Sequence, residues 1–121
     1  MKPCEAIIKE ELSRLVQRIV QGYGPDQIIL FGSYAYGLPD RDSDVDLLIV
    51  KDTKEIPFDR RVTIRRICQD PNRHIPFQPL VVTPGELEAR LRMGDPFFRE
   101  IVQKGEVLYA REGISSSQGL V

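Results

Sequence analysis

Residues 30–50 read LFGSYAYGLPDRDSDVDLLIV, and how this stretch is parsed decides the fold. An apolar run over residues 28–31 breaks at Gly32 and Ser33. After ten intervening residues a second apolar run opens with Asp44, Val45 and Asp46. Successive side chains of a strand point to opposite faces, so positions 44 and 46 share a face. Their α-carbons then lie roughly 6.5–7 Å apart, at a rise of about 3.3 Å per residue. Two carboxylates at that separation reach one hard cation such as magnesium, which commonly takes phosphates and waters as its other ligands. Gly32 lets the backbone approach a ligand, and amides opening the following turn or helix point at phosphate oxygens. One segment therefore predicts both an anion cradle and a cation site.

Each half is ordinary by itself. Gly-Ser after a strand is commonly only a turn, and Asp-x-Asp is common on solvated surfaces. Joined in this order and spacing, FGSYAYG (31–37) and SDVDLLIV (43–50) resemble the signature of the DNA polymerase beta-like nucleotidyltransferase superfamily. The nearest likeness is to its small members, the minimal nucleotidyltransferases (MNT proteins), often encoded beside a HEPN-domain partner. The segment PGELEARLRMGDPFFREIVQKGEVLYAR (84–111) also looks like that family, so the resemblance spans nearly the whole chain. It implies an α/β (α+β) fold, a small mixed β-sheet with helices mainly on one face. It also implies Mg2+-dependent transfer of a nucleoside monophosphate, AMP from ATP, to an acceptor hydroxyl with release of pyrophosphate. By the same resemblance Gly32, Ser33 and Ser43 hold the nucleotide, and Asp44 and Asp46 are the catalytic metal ligands. In paired MNT–HEPN systems the acceptor is a tyrosine of the HEPN toxin, and the MNT protein acts as antitoxin.

In this superfamily a third acidic residue on the third strand completes the metal site. Counting back from Thr83 and Pro84, the matching position here is Gln78. An amide oxygen can coordinate a cation, but it cannot serve as a carboxylate base. The cation that accompanies the nucleotide keeps Asp44 and Asp46; the second loses a charged ligand. Turnover should fall more than nucleotide affinity, because a two-metal site gains mainly by activating the nucleophile and clamping both oxygens of an in-line displacement. The alternative expectation is a catalytically impaired module that binds nucleotide or a partner. Tyr34 and Tyr36 stand where many relatives carry an arginine near the triphosphate. They are read either as ligands of the nucleotide or as surface aromatics.

Composition sets the remaining bounds. The chain has 121 residues and 41% hydrophobic content, enough for one compact domain with one core. The domain is expected over residues 1–112, with a Ser/Gly-rich, frayed tail over 113–121. Seventeen basic residues against eighteen acidic ones give a net charge of −1, so no global field recruits nucleic acid, which is not expected as a partner. Cys4 and Cys68 form no disulfide framework, and zinc spacing is absent. No apolar run reaches about 18 residues and no signal pattern is present, so a soluble, cytoplasmic protein without membrane contact is expected. Homo-oligomerisation is left open.

In chain order, an amphipathic helix is expected over residues 4–21, ended by Gly22, Gly24 and Pro25. Strands follow at 27–31 and 44–50, around a short helix or turn at 34–37. Asp40 and Asp42 read as solvated loop residues. A helix from Pro57 to Cys68 carries Arg60, Arg61, Arg65 and Arg66, with Arg73 and His74 beyond; a solvated face is weighed above an RNA or partner surface. The third strand, 77–83, contains Pro79, which either limits pairing in its first half or places the strand at an edge. Thr83, Pro84 and Glu86 spell a capped helix start, Asp95 caps another, and a last short strand is expected at 107–109.

Overall fold

The computed structural model describes residues 5–40, 42–73 and 75–111. The tail expected over 113–121 lies outside the described residues, as do Cys4, Arg41 and His74. The elements run α1 (Glu5–Tyr23), β1 (Gln27–Phe31), α2 (Ser33–Tyr36), β2 (Val45–Val50), α3 (Pro57–Ile67), β3 (Phe77–Val82), α4 (Pro84–Arg92), α5 (Pro96–Lys104) and β4 (Glu106–Ala110). The four strands form one mixed sheet in the order β3-β2-β1-β4. β1 is antiparallel to both β2 and β4, whereas β2 and β3 are parallel. Pro79 sits on the edge strand β3, where a missing backbone donor is tolerated.

The strands are apolar on both faces because both faces are covered. On one face Ile28, Leu30, Leu47, Ile49 and Val81 pack with Leu15 and Ile19 of α1 and Ile64 of α3. On the other, Ile29, Phe31, Leu48, Val50 and Val82 pack with Leu87 of α4 and with Phe98 and Ile101 of α5. The expectation of helices mainly on one face is corrected accordingly: the second apolar layer of the strands requires its own pair of helices. Each fully buried Ile or Leu, such as Ile28, Leu47 and Ile49, contributes about 1.5–3 kcal/mol by removal from water.

Local sequence explains the ends of these elements. Thr83 accepts a hydrogen bond from the Glu86 amide while the Glu86 carboxylate accepts from the Thr83 amide, a reciprocal capping box with Pro84 in the first turn. Asp95 caps α5 by accepting from the Phe97 and Phe98 amides. Arg60, counted in the sequence among a basic helix face, is instead 5% exposed. It makes a two-pronged ion pair with Glu86 (2.7 and 3.1 Å) and donates to the Val81 carbonyl (3.3 Å), tying α3 to α4 around the β3 edge. No helix among the described residues is long and apolar enough to cross a membrane.

Candidate functional site

Phe31 pairs with Asp46 across the antiparallel ladder, and Asp46 pairs with Gln78 across the parallel one. These two registers bring the end of β1, the start of β2 and the start of β3 to one end of the sheet. Gly32 follows Phe31 with φ 76° and ψ −155°, a region that is essentially restricted to glycine. A side chain there would also collide with Asp46: a Cβ on Gly32 would stand 2.3 Å from Asp46 Oδ2. The bend is thus shaped so that one carboxylate lies directly against the backbone of the turn.

The turn continues into the four-residue α2. The amides of Ala35 and Tyr36 both donate to the Gly32 carbonyl (3.0 Å), and the Gly37 amide donates to the Ser33 carbonyl (3.2 Å). The amides of Ser33 and Tyr34 lead this turn, and the opening amides of a helical turn fall outside its own ladder. A phosphate oxygen is a natural acceptor for such groups.

Asp44 stands one residue ahead of β2, not within it as the sequence pattern suggested. The Val45 amide donates to the Pro76 carbonyl (2.8 Å), which anchors Asp44 beside the start of β3. There Gln78 Nε2 donates to Asp44 Oδ2 (3.2 Å), and Arg65 Nη2 on α3 donates to Gln78 Oε1 (3.2 Å). The chemistry of the neighbours fixes this amide: guanidinium only donates and carboxylate only accepts. The Asp46 carboxyl is pushed above the usual carboxylate range, first by burial and then by the negative charge of Asp44.

That electrostatic state bears on metal binding. Two neighbouring carboxylates, one of them partly desolvated, fit a single divalent ion that draws its remaining ligands from phosphate and water. Gln78 adds no third negative charge beside them. Gln78 turns its donor nitrogen inward, and a guanidinium stands behind its oxygen. Among the described residues no group of three or more His, Cys, Asp or Glu side chains is arranged to hold a metal. Neither later acid substitutes: Glu86 is paired with Arg60 and Glu88 with Arg92.

The other sequence candidates are distributed as follows. Gly32, Ser33, Asp44, Asp46 and Gln78 are brought together. The hydroxyl of Ser43 is engaged elsewhere, accepting from the Asp40 amide (2.9 Å) to close the 40–43 turn. Asp40 and Asp42 are exposed. Tyr34 and Tyr36 are not plain surface aromatics, since they pack against opposite core layers. Burial raises the Tyr34 hydroxyl, and the charges of Asp40, Asp44 and Glu11 raise it further. Arg65 was missed as a member of the site, because its reach around β3 depends on where α3 docks.

Comparison with known proteins bears on the fold and the family. The fold resembles a crystal structure of a provisionally named nucleotidyltransferase from Sulfolobus solfataricus, with a TM-score of 0.54 and 17% identity over 93% of this chain and 95% of that one. It also resembles the spectinomycin adenyltransferase AAD(9) of Enterococcus faecialis, crystallised with ATP and spectinomycin. Here the TM-score is 0.57 at 12% identity, covering 98% of this chain and 60% of that one. At such identities the likeness establishes the polymerase beta-like fold alone. In sequence, the chain is 32% identical over 115 residues to a provisionally named protein adenylyltransferase of Methanocaldococcus jannaschii, covering 89% of this chain and 76% of that protein. Residues 7–109 match the family described as the nucleotidyltransferase domain. By that family match and that relative, the chain belongs to the nucleotidyltransferase domain family and is an enzyme of that class.

Proposed function

We propose that the chain transfers AMP from ATP to a hydroxyl on a protein acceptor, and that Asp44 and Asp46 would hold one Mg2+ ion that accompanies the nucleotide. The observation that carries this reading is the Asp46 carboxylate seated against the Gly32 α-carbon, with Asp44 beside it. The relative named for protein adenylylation supports the choice of acceptor class and of ATP. In this scheme the opening amides of α2 and the Ser33 hydroxyl hold the phosphates. Asp44 and Asp46 would be the ion's protein ligands, and the charge neutralisation it would supply is at the phosphates. The acceptor hydroxyl attacks the α-phosphorus, its oxygen forms the new P–O bond while its proton passes to solvent water, and pyrophosphate leaves with the electrons of the broken one. Gln78 holds Asp44 in place and takes no proton. A tyrosine of a HEPN toxin, with the chain as its antitoxin, is the specific acceptor that the MNT likeness favours.

A second reading has one observation in its favour. Gln78 occupies the hydrogen-bonding direction of Asp44 that a third carboxylate and its ion would use, which favours a nucleotide-binding module with little turnover. The test is transfer of label from α-labelled ATP with magnesium to a co-purified partner. Transfer by the wild type, and its loss in the Asp44→Ala, Asp46→Ala double variant, is the expected result. Identical signal from both overturns the enzymatic reading; nucleotide binding without transfer favours the silent module.

A further inference from the structure

The arginines of α3 do not all share one role. Arg60 is buried against Glu86, but Arg65 and Arg66 line a concave surface of about 690 Å³ between α3 and the start of β3, together with Gln69, Asp70, Arg73 and Phe77. That volume falls in the usual range for ligand sites. Arg73 is fixed there: it donates to the Cys68 carbonyl (2.5 Å), and its guanidinium lies 5.5 Å from the centre of the Phe77 ring. The Asp70 carboxylate is already engaged by the Asn72 amide (2.9 Å) and lies 3.9 Å from Arg18. With three arginines against this one carboxylate, the lining keeps a net positive charge.

We propose that this arginine-lined cleft docks an acidic segment of the protein acceptor and presents its hydroxyl to the Asp44–Asp46 pair. The proposal rests on the protein-acceptor reading given above. Continuity is its first support: Arg65 lines the cleft and also hydrogen-bonds Gln78, whose other end holds Asp44. Direction is the second. An in-line displacement requires the attacking oxygen opposite the leaving pyrophosphate. With phosphates at the Gly32 turn on β1 and the carboxylates on β2, the opposite side is that of β3, where the cleft opens.

The cleft suits carboxylates better than a nucleic-acid strand. Guanidinium forks match carboxylate oxygens in pairs. A single strand would also need an exposed aromatic platform for base stacking. Phe77 is 3% exposed and lies beneath Arg73. The net charge of −1 gives no wider field to draw in a polyanion.

The test measures fluorescence anisotropy of three labelled probes with a non-hydrolysable ATP analogue and magnesium present. The probes are a tyrosine peptide flanked by glutamates, the same peptide with glutamines, and an oligonucleotide of matched charge. The glutamate peptide should bind at least about tenfold more tightly than the glutamine peptide, and more weakly as salt is raised. Arg66→Glu should abolish that preference and Arg66→Gln reduce it, with thermal melts verifying that both variants fold. Equal affinity for the two peptides, tighter oligonucleotide binding, or an unchanged preference in both variants overturns the dock. Its failure is separable from failure of the enzymatic reading. Label transfer to the co-purified partner that excess glutamate peptide leaves uninhibited removes the dock alone. Selective glutamate-peptide binding by a protein that transfers no label removes the catalytic reading alone.

Discussion

Restoring the third carboxylate should by itself restore only weak binding of a second cation, because Arg65 stands in its way. In Gln78→Asp the new carboxylate, one methylene shorter than an amide whose oxygen accepts from Arg65 at 3.2 Å, still lies in the field of that guanidinium. A divalent ion placed at about 5 Å from that guanidinium would be repelled by about 1.7 kcal/mol in a water-like dielectric, roughly a 20-fold loss of affinity. The water-like value is the appropriate one, since Arg65 and Gln78 are both exposed. Manganese titration by calorimetry or spin resonance, with a non-hydrolysable ATP analogue bound, reports both the number of ions and their affinities. The wild type should hold one ion and Gln78→Asp a weak second. The double variant Gln78→Asp, Arg65→Ala should bind that second ion about 20-fold more tightly than Gln78→Asp does. Two tight ions in the wild type, or equal second-ion affinity in the single and double variants, would refute the reasoning.

Two further outcomes follow from the bend at Gly32. Gly32→Ala forces an L-residue into a glycine-only conformation at a cost of about 1–3 kcal/mol, and it pushes Asp46 out of its seat. Thermal melts should show the destabilisation, and transfer should fall on the order of 100-fold, as expected for a displaced reacting group. The Asp46 carboxyl gives a pH signature. Its folded pKa is raised by burial and by Asp44, so the stability that goes with its protonated form is present at low pH and lost as pH rises through that raised pKa. Asp46→Asn should therefore stabilise the metal-free protein at neutral pH, and by less as pH falls into the carboxylate range. Manganese affinity of the wild type should decline over the same acidic range, because protons and metal compete for Asp46. A flat stability difference between the two proteins across that range would contradict the assignment.

Much of the fold was legible because local chemistry and tertiary demand agreed. The span of β1, the capping box at Thr83 and Glu86, the Asp95 cap and the edge position signalled by Pro79 are each written in a few adjacent residues. The second helical layer was less visible. VDLLIV is apolar at alternate positions on both faces, yet which helices cover which face depends on packing between distant segments. At the site, the Gly32–Asp46 approach follows from strand register and could be anticipated. The partners of the arginines could not: Arg60 meets Glu86 across 26 positions of chain, and Arg65 meets Gln78 across 13. Gln78 itself was recognised, but the direction of its amide is dictated by Arg65, a neighbour supplied only by the fold.

The edge position of β3 has a consequence for self-association. Pro79 offers no backbone donor there, and the Arg60 guanidinium already occupies the Val81 carbonyl, so this flank is a poor place to add another strand. Among the described residues the other border, β4, is the one left to lengthen the sheet. A twofold pair built through β4 would carry its two β3 flanks at opposite outer ends, each free to receive a separate client without crossing its twin.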